Sequence, residues 1–305
     1  MSIPKSQVGY TLIFMVALSF ICAIILSVLA AALAGPQEIA KDLDRSREML
    51  ISTGILNPSG YFQVQNEQNE YVLAKVKDGG RLEASSVQII PTSDEVLSVY
   101  KARVASFLVN DKGEEKTFKE AGIDESKYLA DFRKTGYYYQ PWMLSYKFFL
   151  NPSEEDLKAK KKSPVEGYVF PVNGMGLWAA IYGYLAIKND GNTVIGISWY
   201  DHKETPGLGA DISDPAWQKQ FPGKLIFQES ADGKTDFETA ALGITVVKGK
   251  VAEVIGTNPK AKSAVDGMAG ATLTGNGVTD AYKTVLSPYR SFLIEVHDEY
   301  EKKQK

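Results

Sequence analysis

The hydrophobic pattern divides the chain sharply near its start. Residues 6 to 37 carry no charged side chain, and Tyr10 to Ala34 is almost continuously apolar. At ~1.5 Å of rise per residue a helix of that run reaches about 37 Å, enough to cross a bilayer with some tilt. The pattern predicts a transmembrane helix over 10–34, preceded by a short segment 1–9. A cleaved secretion signal competes, because Ala32-Leu33-Ala34 has the small residues of a cleavage site. The run is too long for a signal's apolar stretch, which favours an uncleaved anchor. Beyond it, Ile39, Leu43, Met49 and Leu50 share one face of a helix predicted over Gln37 to Leu56, with charges on the other. Gly54-Ile55-Leu56-Asn57-Pro58 reads as its stop signal.

Residues 59 to 165 are polar and mixed. Tyr71 to Val76 and Ser86 to Ile90 predict short strands, and Ala105 to Val109 ends in Asn110-Asp111-Lys112-Gly113, a turn suited to a hairpin. Asp124 to Lys134 has the start and spacing of a short helix. The aromatic cluster Tyr137, Tyr138, Tyr139 and Trp142 reads as buried packing or partner contact, and Ser153 to Ser163 as a solvated charged linker. From Val165 the texture changes. Gly167 to Val172 is strand-like, Gly174 to Trp178 is a glycine-flanked corner, and Ile181 to Ile187 turns through Asn189 to Asn192 into Val194 to Tyr200. That is a strong antiparallel hairpin, from which His202 to Gly209 hangs as an irregular loop. Val278, Ala281, Tyr282 and Val285 lie on one face of a helix predicted over Gly277 to Leu286. The expected class is α+β: one transmembrane helix, then antiparallel strands with flanking helices. The expected boundaries are a membrane-proximal helix with a mixed insert over 35–164, a second domain over 165–300 and a charged tail over 301–305.

Charge and composition mostly exclude. A net charge of −3 generates no nucleic-acid-binding field. Cys22 is the only cysteine and lies in the apolar run, so neither an intramolecular disulfide nor a cysteine metal site is available. His202 and His297 are the only histidines, which argues against a histidine-rich metal centre. The chemistry concentrates in Asp266 to Asn276. Its small residues let the backbone turn sharply and approach a ligand, and Thr272 places a hydroxyl just before a helix N-terminus, which favours an anion. An ordinary glycine turn capped by Thr274 or Asn276 has the same composition. Two nucleotide loops are excluded: Gly270 and Gly275 have phosphate-loop spacing, but Asn276 stands where lysine is required, and Gly174-Met175-Gly176 continues into Leu177-Trp178-Ala179 rather than a dinucleotide fingerprint. The two earlier loops suit a planar aromatic ligand. Leu177 and Leu208 can press on a ring, Trp178 can stack on or shield it, and Thr205 offers a hydroxyl. An ordinary hairpin core would use the same residues.

A family resemblance rests on these stretches. Asp266, Gly270, Ala271 and Thr272 stand in register with the Asp-x-x-(Ser/Thr)-Gly-Ala-Thr pattern of covalent flavin attachment, with Ala269 in the place of the usual Ser/Thr. Gly174 to Trp178 followed by Tyr182-Gly183-Tyr184, and Glu204-Thr205-Pro206-Gly207-Leu208-Gly209, look like the family's other two signatures, in its order. The chain resembles the C subunits of sodium-translocating NADH:quinone oxidoreductases over the anchor, Arg47-Glu48-Met49-Leu50, and Val165 onward. The G subunits of Rnf-type complexes share two of the signatures. The resemblance implies one FMN joined covalently through its phosphate to Thr272, making 165–300 an FMN-binding domain. It implies cofactor contacts from Leu177, Trp178, Glu204, Thr205, Gly207, Leu208, Gly209, Asp266, Gly270, Ala271, Leu273 and Thr274. It further implies electron relay from NADH towards quinone in a sodium-pumping complex, with no catalytic residue or metal ligand of the chain's own. The implied partners are the other subunits, a flavin transferase and membrane lipid, but no nucleic acid. The implied location is the bacterial inner membrane, single-pass, with the N-terminus cytoplasmic and the FMN domain periplasmic. A structural or assembly subunit without flavin is the alternative.

Overall fold

In the computed structural model, residues 5–66, 68, 70–135, 141–159 and 161–305 are described. The chain divides into two units, Met1–Arg45 and Ser46–Lys305. In the first, Gly9–Gly35 is long and apolar enough to cross a membrane, and its side chains from Tyr10 onward are exposed. The two helices expected over 10–34 and 37–56 are one, α1 (Lys5–Ser52), which continues through Gly35-Pro36. Proline removes one backbone donor from a helix, a loss that helices of membrane length tolerate. α1 ends earlier than Leu56 because its last turn is closed locally. The Ser52 and Thr53 hydroxyls donate to the carbonyls of Met49 and Leu50 at 2.7 and 3.0 Å, and Gly54 adopts φ +73°. Ile55 and Leu56 then leave the helix and are buried.

Within Ser46–Lys305, β1 (Gln63–Gln65), β2 (Tyr71–Val76) and β3 (Leu82–Ala84) form a small antiparallel sheet. The strand expected over Ser86 to Ile90 is absent. β2 pairs with Leu82 to Ala84 instead, and Val87, Ile89 and Ile90 are exposed in irregular chain. β-branched composition marked the segment as a strand, but a strand needs a partner for its backbone groups. α2 (Ser93–Arg103) starts at a capping box formed by Thr92 and Glu95, whose side chains each meet the other's backbone N–H.

The main sheet has the order β5-β4-β6-β7-β8-β9, antiparallel throughout. Its members are β4 (Val104–Val109), β5 (Glu115–Lys116), β6 (Met143–Phe149), β7 (Val165–Met175), β8 (Ala180–Lys188) and β9 (Val194–Asp201). The 110–113 turn and the 181–200 hairpin form as expected, and α3 (Glu125–Thr135) matches the predicted helix. Tyr137, Tyr138 and Tyr139 lie outside the described residues. The charged stretch after Ser153 contains a short helix, α4 (Glu154–Ala159). The boundary expected at 165 falls inside this one sheet, since β4, β5 and β6 precede it and pair directly onto β7. The chain finishes with α5 (Pro215–Gln218), β10 (Thr245–Val246), α6 (Val251–Val254), β11 (Ala264–Val265), α7 (Thr272–Leu286) and α8 (Arg290–Gln304).

The core lies where α7 and α8 cover one face of the sheet. Phe170, Val172, Ile181 and Leu185 meet Val278, Tyr282, Val285, Tyr289 and Phe292 in one buried cluster. Phe170 packs edge-on against Tyr289, with centroids 4.9 Å apart, and the Tyr289 hydroxyl donates to the Leu144 carbonyl at 2.8 Å. α7 approaches β7 unusually closely. A Cβ on Gly174 would lie 2.6 Å from that of Ala281, and one on Gly277 would run into the Met175 carbonyl oxygen. This contact fixes where α7 begins relative to the end of β7. Alanine normally favours a helix over glycine by about 1 kcal/mol. Gly277→Ala is expected to invert that sign and destabilise the fold by about 2 kcal/mol, as overpacking does. Thermal unfolding of the full chain in detergent checks this, and an unchanged or raised Tm would contradict the close contact.

Candidate functional site

Three loops meet at one end of β7, β8 and β9. The first, Gly176 to Ala179, joins β7 to β8, closed by a Gly176 N–H to Ala179 carbonyl bond of 2.9 Å. The second, His202 to Gly209, follows β9. The third, Asp266 to Ala271, follows β11 and leads into α7. The middle loop is joined to the first loop and to the first turn of α7 by one side chain. Glu204 is buried; its Oε1 accepts the Trp178 N–H at 3.1 Å, and its Oε2 accepts the Thr274 hydroxyl. Glycine is required around it. A Cβ on Gly176 would lie 2.5 Å from Oε1, and one on Gly209 would collide with Oε2 and lie 2.6 Å from the Thr274 hydroxyl. Burial alone pushes the Glu204 carboxyl up. The Thr274 hydroxyl, the N–H groups of Trp178 and Leu177, and the nearby His202 outweigh it, so the group sits below its ordinary value.

The expected site residues separate into three groups. Glu204 and Thr274 are turned inward onto each other, Thr274 being fully buried. Leu177, Trp178, Leu208 and Leu273 are exposed, Trp178 by 66% and Leu273 by 61%, and Met175, which carried no sequence signal, is 61% exposed beside them in the chain. The Trp178 indole donates to the Thr205 hydroxyl at 3.2 Å, so Thr205 orients the ring. Leu208 meets the third loop at Gly270 (φ +73°), where a Cβ would lie 2.8 Å from its Cδ2. Gly207 also takes a positive φ, +73°, and turns the second loop.

The third group surrounds a cavity of about 220 Å³. Val246 to Gly249 form one wall, and Gly267 to Thr272 with Gly275 and Asn276 form the other. Thr272 is exposed and is the first residue of α7; it is the only hydroxyl in the lining. No side chain caps α7, so the first-turn N–H groups, which have no intrahelical acceptor, keep their capacity for an anion. Asp266 stands behind the cavity. Its Oδ1 accepts the Val251 N–H at 2.8 Å, its N–H donates to Gln220 at 2.9 Å, and its carbonyl accepts the Trp217 indole at 2.9 Å. Lys248 in the opposite wall carried no motif and was not legible in the sequence. Exposed leucines and one indole beside a small cavity with one hydroxyl, one amine and unused helix N–H groups fit a planar aromatic ligand that ends in phosphate. Among the described residues, no group of three or more His, Cys, Asp or Glu could hold a metal.

The chain is similar to known proteins. The FMN-binding domain family matches residues 176–287. The C subunit of the Na(+)-translocating NADH-quinone reductase from Chlamydia caviae is 40% identical over 300 residues, covering 95% of this chain and 94% of the relative. Its counterpart from Pasteurella multocida is 29% identical over 280 residues, covering 92% and 90%. The crystal structure of the counterpart from Parabacteroides distasonis superposes with a TM-score of 0.51 at 24% identity, covering 86% of this chain and 96% of that one, which supports the fold.

The Glu204 carboxyl is held below its unfolded value. It therefore stabilises the fold above that value, and the contribution is lost as pH falls through the folded one. Glu204→Gln is expected to cost about 1.5–3 kcal/mol at neutral pH, the range for hydrogen bonds to a charged group. Wild type and variant should converge as pH drops below the ordinary carboxyl value of 4.5. Urea unfolding at a series of pH values reads the gap, and a gap constant with pH would exclude the ionised clamp.

Proposed function

The chain belongs to the family of Na(+)-translocating NADH-quinone reductase C subunits, and we propose that it carries FMN as a phosphoester on the Thr272 oxygen and relays electrons within that complex. Thr272 itself carries the reading: it is the only hydroxyl lining the cavity, exposed, at the start of an uncapped helix. In the attachment the hydroxyl gives up its proton as its oxygen bonds to the flavin phosphorus, and the P–O bond to the leaving nucleotide of an activated donor, a flavin dinucleotide pyrophosphate, breaks; the adduct weighs FMN less one water. The carboxylates of Glu204 and Asp266 are held in hydrogen bonds outside the cavity lining, so neither stands as a base for Thr272. That favours installation by a separate flavin transferase.

Once bound, FMN supplies the one- and two-electron redox chemistry, and the protein positions the ring and tunes it. Leu177, Trp178, Leu208 and Leu273 offer apolar surface to the ring, and Thr205 sets the Trp178 plane. Their exposure leaves the ring edge reachable by a partner, as a relay requires. Held there, FMN would supply a redox station between NADH and quinone for the partner subunits of a complex that couples the transfer to sodium export. The apolar helix Gly9–Gly35 anchors the chain in the bacterial inner membrane, with the N-terminus cytoplasmic and residues 165–300 periplasmic as the flavin domain.

Co-expression of the full chain with a flavin transferase, followed by denaturation, is expected to give an ultraviolet-fluorescent band, with FMN less one water on Thr272 by mass spectrometry. Thr272→Ser keeps the label and Thr272→Ala loses it. A fluorescent Thr272→Ala band would reject the residue. A wild-type band without fluorescence would leave the assembly-subunit reading.

A further inference from the structure

We propose that Lys248 is the cation that binds the flavin phosphate, and that Asp266 serves the site by holding the Lys248 turn rather than by chemistry at Thr272. The proposal rests on FMN as this site's ligand and adds the residue that recognises its charge. Of the residues lining the cavity, Lys248 is the only charged one and Thr272 the only hydroxyl. Lys248 is exposed and among the described residues no carboxylate pairs with it, so its charge is free to meet an anion in the cavity of about 220 Å³ that the residue lines. A phosphate esterified to Thr272 retains one negative charge. An ammonium across the same small cavity is the group that would offset it.

The turn that carries Lys248 is pinned at both ends to the strand that leads into the Thr272 loop. The Val247 N–H donates to the Val265 carbonyl at 3.1 Å, and the Gly267 N–H donates to the Gly249 carbonyl at 2.8 Å. Asp266 Oδ1 then accepts the Val251 N–H at 2.8 Å, closing the turn from its far side. Gly249 sits at φ +107°, a conformation that glycine adopts without strain. A Cβ on Gly267 would collide with the Val247 carbonyl, so the two walls touch directly there. The Asp266 carboxylate thereby gives one oxygen to backbone and lies outside the cavity lining, where a second negative charge would repel the phosphate. One residue thus shapes the cradle and leaves it positive.

The test uses the full chain in detergent, made without a transferase and titrated with FMN and with riboflavin, which differs by the phosphate alone. Quenching of flavin fluorescence reads binding. Wild type is expected to prefer FMN by about tenfold, the effect of one charge-assisted hydrogen bond at a partly exposed site. Inorganic phosphate should compete against FMN. Lys248→Gln should bind both flavins alike and Lys248→Arg should keep the preference; Asp266→Asn, whose amide oxygen still accepts the Val251 N–H, should keep it too, and Asp266→Ala should weaken it. A Lys248→Gln chain that retains the full preference, or a wild type that shows none, overturns the assignment. Covalent attachment is scored separately, by the mass at Thr272 after co-expression. Wild-type chain with the phosphate preference but no adduct would sink the covalent reading and spare Lys248; an adduct without the preference would do the reverse.

Discussion

A buried carboxylate with both oxygens occupied holds this site together. Glu204 takes a backbone N–H from the first loop with one oxygen and the Thr274 hydroxyl of α7 with the other. Removing either partner leaves part of a buried charge unsatisfied, which costs more than the bond itself contributes. The surrounding glycines follow from this. Gly176 and Gly209 are the positions where any side chain would occupy the space of the carboxylate. Two loops and the first turn of α7, far apart in sequence, are thus joined by a single side chain.

The carboxylates are handled in the same way throughout the site. Glu204 and Asp266 both lie outside the cavity lining; Glu204 accepts an N–H and a hydroxyl, and Asp266 Oδ1 accepts the Val251 N–H. Lys248 and the uncapped start of α7 line the cavity, so the electrostatic bias there is positive and suits an anion. Above it, the exposed leucines, Met175 and Trp178 make an apolar rim that a soluble surface does not otherwise favour. A polar anchoring point beneath an apolar rim is the arrangement an amphipathic cofactor such as FMN demands.

The frame that holds these loops is larger than the flavin domain. β4, β5 and β6 extend the sheet from before residue 165, and α2 is tied to β7 by Arg103, which donates to Glu166 at 2.9 Å and to the Phe149 carbonyl. The end of α1 reaches β9, where the Ser198 hydroxyl donates to Glu48. The middle region therefore stiffens the strands whose ends carry the site.

Much of this was legible locally. The apolar run, the 181–200 hairpin, the α7 face and the three glycine-bearing signatures are set by side-chain periodicity and turn chemistry, which act between near neighbours. The family followed from the order of those signatures. What stayed hidden depends on long-range pairing. Ser86 to Ile90 has strand composition but no strand to pair with, and the insert's strands join a sheet whose other half lies beyond residue 165. Glu204 and Thr274 read as ligand contacts in one dimension; only packing turned them onto each other. Lys248 bears no motif, and its place opposite Thr272 arises from the parallel pairing of β10 with β11. Residue type and spacing determined which loops were special, because glycines and hydroxyls act through their own backbone. Which side chains line the cavity and which face one another was decided by tertiary contacts, the close start of α7 against β7 and the pairing of β10 with β11.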